Sequence, residues 1–79
     1  MPRYRLKYGF DVEFDAQGAG EVVPMIQSGH RIGSCEDERR FCRRMAIELC
    51  EWSGGNYYYH SRDALAGSMI RNGLLEVID

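Results

Sequence analysis

The stretch Arg3-Tyr4-Arg5-Leu6-Lys7-Tyr8-Gly9-Phe10-Asp11-Val12-Glu13-Phe14-Asp15 decides how this chain is read, because it alternates without a break between two kinds of side chain. Tyr4, Leu6, Tyr8, Phe10, Val12 and Phe14 fall on one face, and Arg3, Arg5, Lys7, Gly9, Asp11, Glu13 and Asp15 on the other. That is the two-residue period of a half-buried β-strand, and it predicts one strand over residues 3–15. Its apolar face needs a cover from the rest of the chain. Its polar face is ordered, with three cations in the first half and three carboxylates in the second.

Working outward, Gly18 and Gly20 offer the conformational freedom of a hairpin loop. A second strand is expected over 21–27, at a sheet edge because Pro24 cannot donate to a ladder. Ser28-Gly29-His30 reads as a turn and Arg31-Ile32-Gly33 as a brief strand or an approach to a helix. Ser34 is the expected N-cap of that helix, with Asp37 at N3 and acidic residues at the positive end of its dipole. Phe41, Cys42, Met45, Ala46, Leu49 and Cys50, extended by Trp52, form an apolar stripe at helical spacing. Gly54 supplies a left-handed stop. Asn56-Tyr57-Tyr58-Tyr59-His60 has the aromatic content of a short strand. Ser61 caps a second, shorter helix with Leu65, Ala66, Met69 and Ile70 inward, Gly73 ends it, and 74–78 reads as a last strand or packed tail. The expected fold is α+β, one domain over 1–79. A mainly antiparallel sheet of three to four strands packs against one long helix, with a second short helix, and Phe10, Phe14, Phe41, Leu49 and Trp52 form the core.

Seventy-nine residues with 44% hydrophobic content suit one small domain. A formal charge of −2 argues against a binder that relies on overall positive charge. Cys35, Cys42 and Cys50 are odd in number and lack finger-like spacing, so neither a disulfide framework nor structural zinc is expected. The opening Met1-Pro2-Arg3-Tyr4 leads straight into the alternating stretch, and no apolar run approaches the roughly 20 residues of a membrane span. A cytoplasmic chain without cofactor or metal is expected, monomeric or homodimeric.

Four features carry chemistry. Asp11, Glu13 and Asp15 recur at about 6.6–7 Å along one strand face, close to the phosphate spacing of a nucleic-acid strand, and Glu21 across the expected hairpin extends the row. The alternative is a solvated strand face; as a calcium loop the stretch fails, with Ala16 and Val22 where an EF-hand needs Gly and Glu. Arg39, Arg40, Arg43 and Arg44 share the helix face opposite the stripe and suit bidentate contacts to phosphate or carboxylate. Pairing of Arg39 and Arg40 with Glu36 and of Arg44 with Glu48 is the competing account. The tyrosine run offers a base-stacking platform, or core plus rim, with Tyr58 as an interface anchor. His30 beside Ser28 and His60 beside Ser61 show no third group to complete a catalytic arrangement, so no catalytic residue is assigned.

Two resemblances follow from these residues. The order strand, Gly-containing loop, strand, then Gly33-Ser34-Cys35-Glu36-Asp37-Glu38 leading into Met45-Ala46-Ile47-Glu48-Leu49 is similar to the core of HicB-type antitoxins, which implies a partial RNase H-like domain that silences a toxin. The short length, slight acidity, Asp11-Glu13-Asp15 row and passage from Met45 through Trp52 into Asn56-Tyr57-Tyr58 resemble the small phage-encoded anti-CRISPR proteins. That resemblance implies a stoichiometric, non-enzymatic inhibitor that blocks target-DNA binding or nuclease recruitment on a CRISPR effector complex. On this expectation Asp11, Glu13, Asp15, Glu21 and Tyr58 contact a nucleic-acid-handling protein. The alternative is a small nucleic-acid-binding module that uses Arg39, Arg40, Arg43 and Arg44.

Overall fold

The expected single strand folds back on itself. The structure, a computed structural model, describes residues 2–8, 10–29 and 37–78. β1 (Arg3–Tyr8) and β2 (Phe10–Asp15) pair antiparallel, from Arg3 opposite Asp15 to Tyr8 opposite Phe10. The alternation is symmetric about its midpoint, so reversal between Tyr8 and Phe10 keeps both apolar sets on one face and both charged sets on the other. A period of two cannot tell a straight strand from such a hairpin. The charge order can, because Arg3 faces Asp15, Arg5 faces Glu13 and Lys7 faces Asp11 across the ladder. Opposite charges directly across a ladder contribute roughly 0.2–1 kcal/mol per pair.

The reversal expected at Gly18 and Gly20 is therefore not made there, and the strand expected over 21–27 is helical. A 3-10 turn, Ala19–Glu21, runs into α1 (Val22–Gly29). Val22 and Val23 are buried and Ile26 packs against the same core, which is the i, i+1, i+4 spacing of a helix. Pro24 sits in the first turn, where its missing N–H would have no intrahelical acceptor, so the residue that marked an edge strand is equally at home here. At Gly20 the chain passes close to the carboxylate of Asp63 on the last helix, which would have to move to admit a Cβ.

α2 (Glu38–Ser53) is capped by Asp37, whose side chain accepts from the Arg40 N–H at 2.9 Å. The expected cap, Ser34, and the segment Arg31-Ile32-Gly33 lie outside the described residues, as does His30; Asp37 is itself the N-cap and not N3. Phe41, Cys42, Met45, Ala46 and Leu49 are buried as the stripe requires, but Cys50 and Trp52 are exposed. Trp52 stands in the last turn, past Leu49, which closes the buried stripe, and is 55% exposed. It is not a core residue. Gly54 ends the helix at φ 77°, its N–H on the Cys50 carbonyl at 2.7 Å.

Residues 54–59 run without a ladder partner, so the strand expected over 56–60 is absent among the described residues. α3 (Arg62–Arg71) is capped by the Ser61 hydroxyl, which accepts from the Ala64 N–H at 3.1 Å. Leu65, Ala66 and Met69 point inward and Ile70 is 38% exposed. β3 (Leu75–Val77) then returns antiparallel to β1, which gives the order β2-β1-β3 and leaves β1 central. Among the described residues the architecture is α+β, one three-stranded antiparallel sheet with three helices, where three to four strands and two helices were expected. Tyr4, Leu6 and Leu75 of the sheet close on Val22, Val23, Phe41, Leu49, Leu65 and Met69, with Phe14 partly buried. The side chain of Phe10 lies outside the description. No described helix is long and apolar enough to cross a membrane.

Candidate functional site

The expected acidic row exists, on β2, and it is largely met by the chain's own cations. Arg3 bonds Asp15 at 3.1 Å and approaches Glu13 at 3.8 Å, and Arg5 reaches Glu13 at 3.4 Å. On the other flank Glu76 of β3 takes Lys7 at 2.8 Å and Arg5 at 3.6 Å. The outer face of the sheet is thus a column of cations on β1 between the carboxylate column of β2 and the single carboxylate of Glu76 on β3. The bond from Lys7, then its charge, holds the Glu76 carboxyl below the usual carboxylate range. Asp11 makes no ion pair among the described residues. Glu21 does not extend the row: it lies on the 3-10 turn, 3.4 Å from Arg62.

Arg62 instead knots three elements. Its guanidinium meets Glu38 of α2 bidentately, at 2.9 and 2.6 Å, and Glu21 beside α1, and the Glu38 bond raises its pKa above the ordinary arginine value. Cys42 lies buried nearby, and burial, reinforced by the Glu38 charge, keeps its thiol protonated.

The arginine face resolves into two parts. Arg44 is engaged, 3.5 Å from Glu48 and stacked 6.0 Å over the Phe41 ring. Arg39, Arg40 and Arg43 make no ion pair among the described residues, and with Tyr59 they line a cleft of about 320 Å³. The expected partner of Arg39 and Arg40, Glu36, lies outside the described residues.

Tyr59 is shared with a second cleft, of about 590 Å³, lined by Ala46, Ile47, Cys50, Tyr57 and Tyr58 among others. Tyr58 is shared with a third, of about 350 Å³, which includes His60, Asp63 and Arg71. Each of the two tyrosines is thus shared between two neighbouring clefts. Tyr58 and Tyr59 are 55% and 45% exposed, and Ile47 on the opposite wall is 49% exposed. Arg71 lies 5.7 Å over the Tyr58 ring, so cations flank the aromatic run on both sides.

A segment without ladder partners holds its rings in place only if something else fixes its backbone. Two anchors hold its backbone, and a third holds a ring directly. The Ser53 hydroxyl meets the Tyr57 hydroxyl at 2.7 Å. The Ser68 hydroxyl, fully buried on α3, accepts from the Tyr58 N–H at 2.9 Å and from Arg71 at 3.2 Å while donating to the Ala64 carbonyl at 2.9 Å. The Asn72 amide donates to the Asn56 carbonyl at 3.0 Å. Sequence reading found the arginines and tyrosines but missed Ser53, Ser68, Asn72 and Arg71. The signal for Ser68 was its place between Leu65 and Met69 on the inward face of α3, where a hydroxyl needs partners.

Among the described residues no group of three or more His, Cys, Asp or Glu is placed to hold a metal. No family model, curated protein or solved structure matches the chain.

Proposed function

We propose that this chain is a non-enzymatic binding domain that takes a single-stranded nucleic-acid segment along the Tyr57–Tyr59 run, with its phosphates on Arg39, Arg40 and Arg43. The observation that carries this reading is the junction at Tyr59, where an exposed ring shares a cleft with three cations that have no ion pair among the described residues. Bases have π-faces and phosphates have charge, so an aromatic run beside a guanidinium cluster recognises both parts of a nucleotide strand. The acidic row, which the overall charge made the first choice, already spends much of its field on Arg3, Arg5 and Lys7. The local patch outweighs the net charge of −2.

Fluorescence anisotropy with labelled oligonucleotides tests it. Three or so phosphate contacts give a slope of log K against log salt near −2, about −0.7 per contact for single strands. Tyr59→Ala weakens binding by about 1–3 kcal/mol, the worth of one stacked base. Arg39→Gln with Arg43→Gln flattens the salt slope. Equal affinity of wild type and both variants for single strands would refute the assignment.

A second reading keeps Asp11, Glu13 and Asp15 as the contact surface of an inhibitor of a nucleic-acid-handling protein, such as a CRISPR effector complex. What favours it is that all three are exposed on a strand at the sheet edge. Capture of an effector protein that survives nuclease treatment, and its loss on neutralising the three carboxylates, is the expected outcome. Capture unaffected by that neutralisation contradicts it.

A further inference from the structure

Among the described residues β2 has one ladder neighbour, β1, so its outer side is a six-residue edge with unpaired backbone groups. The molecule itself shows what complements this strand. β1 presents Arg3, Arg5 and Lys7 opposite Asp15, Glu13 and Asp11, alternating with Tyr4 and Leu6 on the core side. A strand added to the free edge would lie beside the same three carboxylates at cross-strand distance, Asp11 without an ion pair among the described residues and Glu13 and Asp15 shared with Arg5 and Arg3, and its alternate residues would lie beside the half-buried Val12 and Phe14. A second copy of this chain does not fit. β2 against β2 sets carboxylate against carboxylate, and the other edge, β3, is three residues long and brings Glu76. The carboxylate column of β2 has a cation strand on its β1 side only, and a second cation strand on the outer side would match it.

We propose that the outer edge of β2 is a docking site for an extended segment of a partner protein in which Arg or Lys alternates with apolar residues. This rests on the second reading above, in which the acidic row contacts a protein, and it names the element that row accepts. Specificity comes from period and charge together, with main-chain bonds supplying the rest, as in other strand additions.

The test uses three peptides on the full chain: one with the sequence of residues 3–8 repeated twice, one with the same composition scrambled to break the alternation, and one with the first sequence N-methylated at alternate backbone positions. Amide exchange and anisotropy are read together. The alternating peptide is expected to bind, to slow exchange of β2 amides and to leave those of α3 unchanged. Its affinity is expected to fall about tenfold or more when Asp11, Glu13 and Asp15 become Asn, Gln and Asn. Those neutral variants keep side-chain volume and hydrogen bonding, and their melting curve verifies that the hairpin is intact. Equal binding of the alternating and N-methylated peptides overturns strand addition while leaving the acidic row as a contact surface. Binding of none of the three overturns both, and self-association through β2 overturns the choice of partner.

Discussion

At Ser68 one hydroxyl joins α3 to the tyrosine segment, since it accepts from the Tyr58 N–H while donating within its own helix. Ser68→Ala removes the acceptor of that N–H, a net loss of about 0.5–1.5 kcal/mol, and it frees the ring shared by two of the clefts. The expected result is a lower melting temperature together with weaker oligonucleotide binding, whereas a purely structural serine would move only the first. Phe41→Ala should cost about 3–5 kcal/mol, because the ring is fully buried. Trp52→Ala should cost about 1 kcal/mol or less from its exposed position, and comparison of the two thermal melts checks the revised core. In a Cys35→Ser background, Cys50 should react with a thiol reagent in the folded protein. Cys42 should react only on unfolding, because burial keeps its thiol protonated. Equal rates would contradict its place in the core.

The hairpin is the element in which sequence and structure agree most closely once the charge order is used. Alternation alone predicted a strand of the right residues and the right faces but not its reversal; the order of three cations then three carboxylates held that information. Reversing Asp11, Glu13 and Asp15 to Lys should lower the melting temperature, and reversing Arg3, Arg5 and Lys7 to Glu in the same chain, with Glu76 to Lys because it pairs with Arg5 and Lys7, should restore most of the loss. Failure of the double reversal to recover stability would show that cross-strand charge does not set the register. Glu76 gives the matching pH dependence. Its folded pKa is depressed by Lys7, so its contribution is present above the unfolded value and is lost as the pH falls through the folded one. The stability difference between wild type and Glu76→Gln should therefore shrink as the pH drops below about 4, read by melting at a series of pH values. α1 was misread because Pro24 suits both an edge strand and a first helical turn, and only the Val22, Val23, Ile26 spacing separates them. The caps at Ser61 and Gly54 were legible, since each is a local contact between near neighbours in sequence.

Across the whole molecule, charge is sorted by face. On the sheet exterior most charges are paired across strands, whereas the helix face beside the tyrosines carries cations with no ion pair among the described residues, and the net charge hides this division. Composition therefore pointed to the acidic row, and the fold moves the emphasis to the other side of the domain. The arginines and tyrosines of that surface were visible in the sequence as separate runs. Their meeting was not, because it depends on residues 54–59 running back beside α2, held by Ser53, Ser68 and Asn72 from two different helices. The most direct measurement is a two-dimensional 1H–15N titration of the labelled chain with a short single-stranded oligonucleotide at low and at physiological salt. Saturable shifts are expected at Arg39, Arg43, Tyr58, Tyr59 and Ser68, strongest at low salt, with β2 unmoved. Shifts confined to β2, or none at either salt concentration, would contradict nucleic-acid binding at this surface.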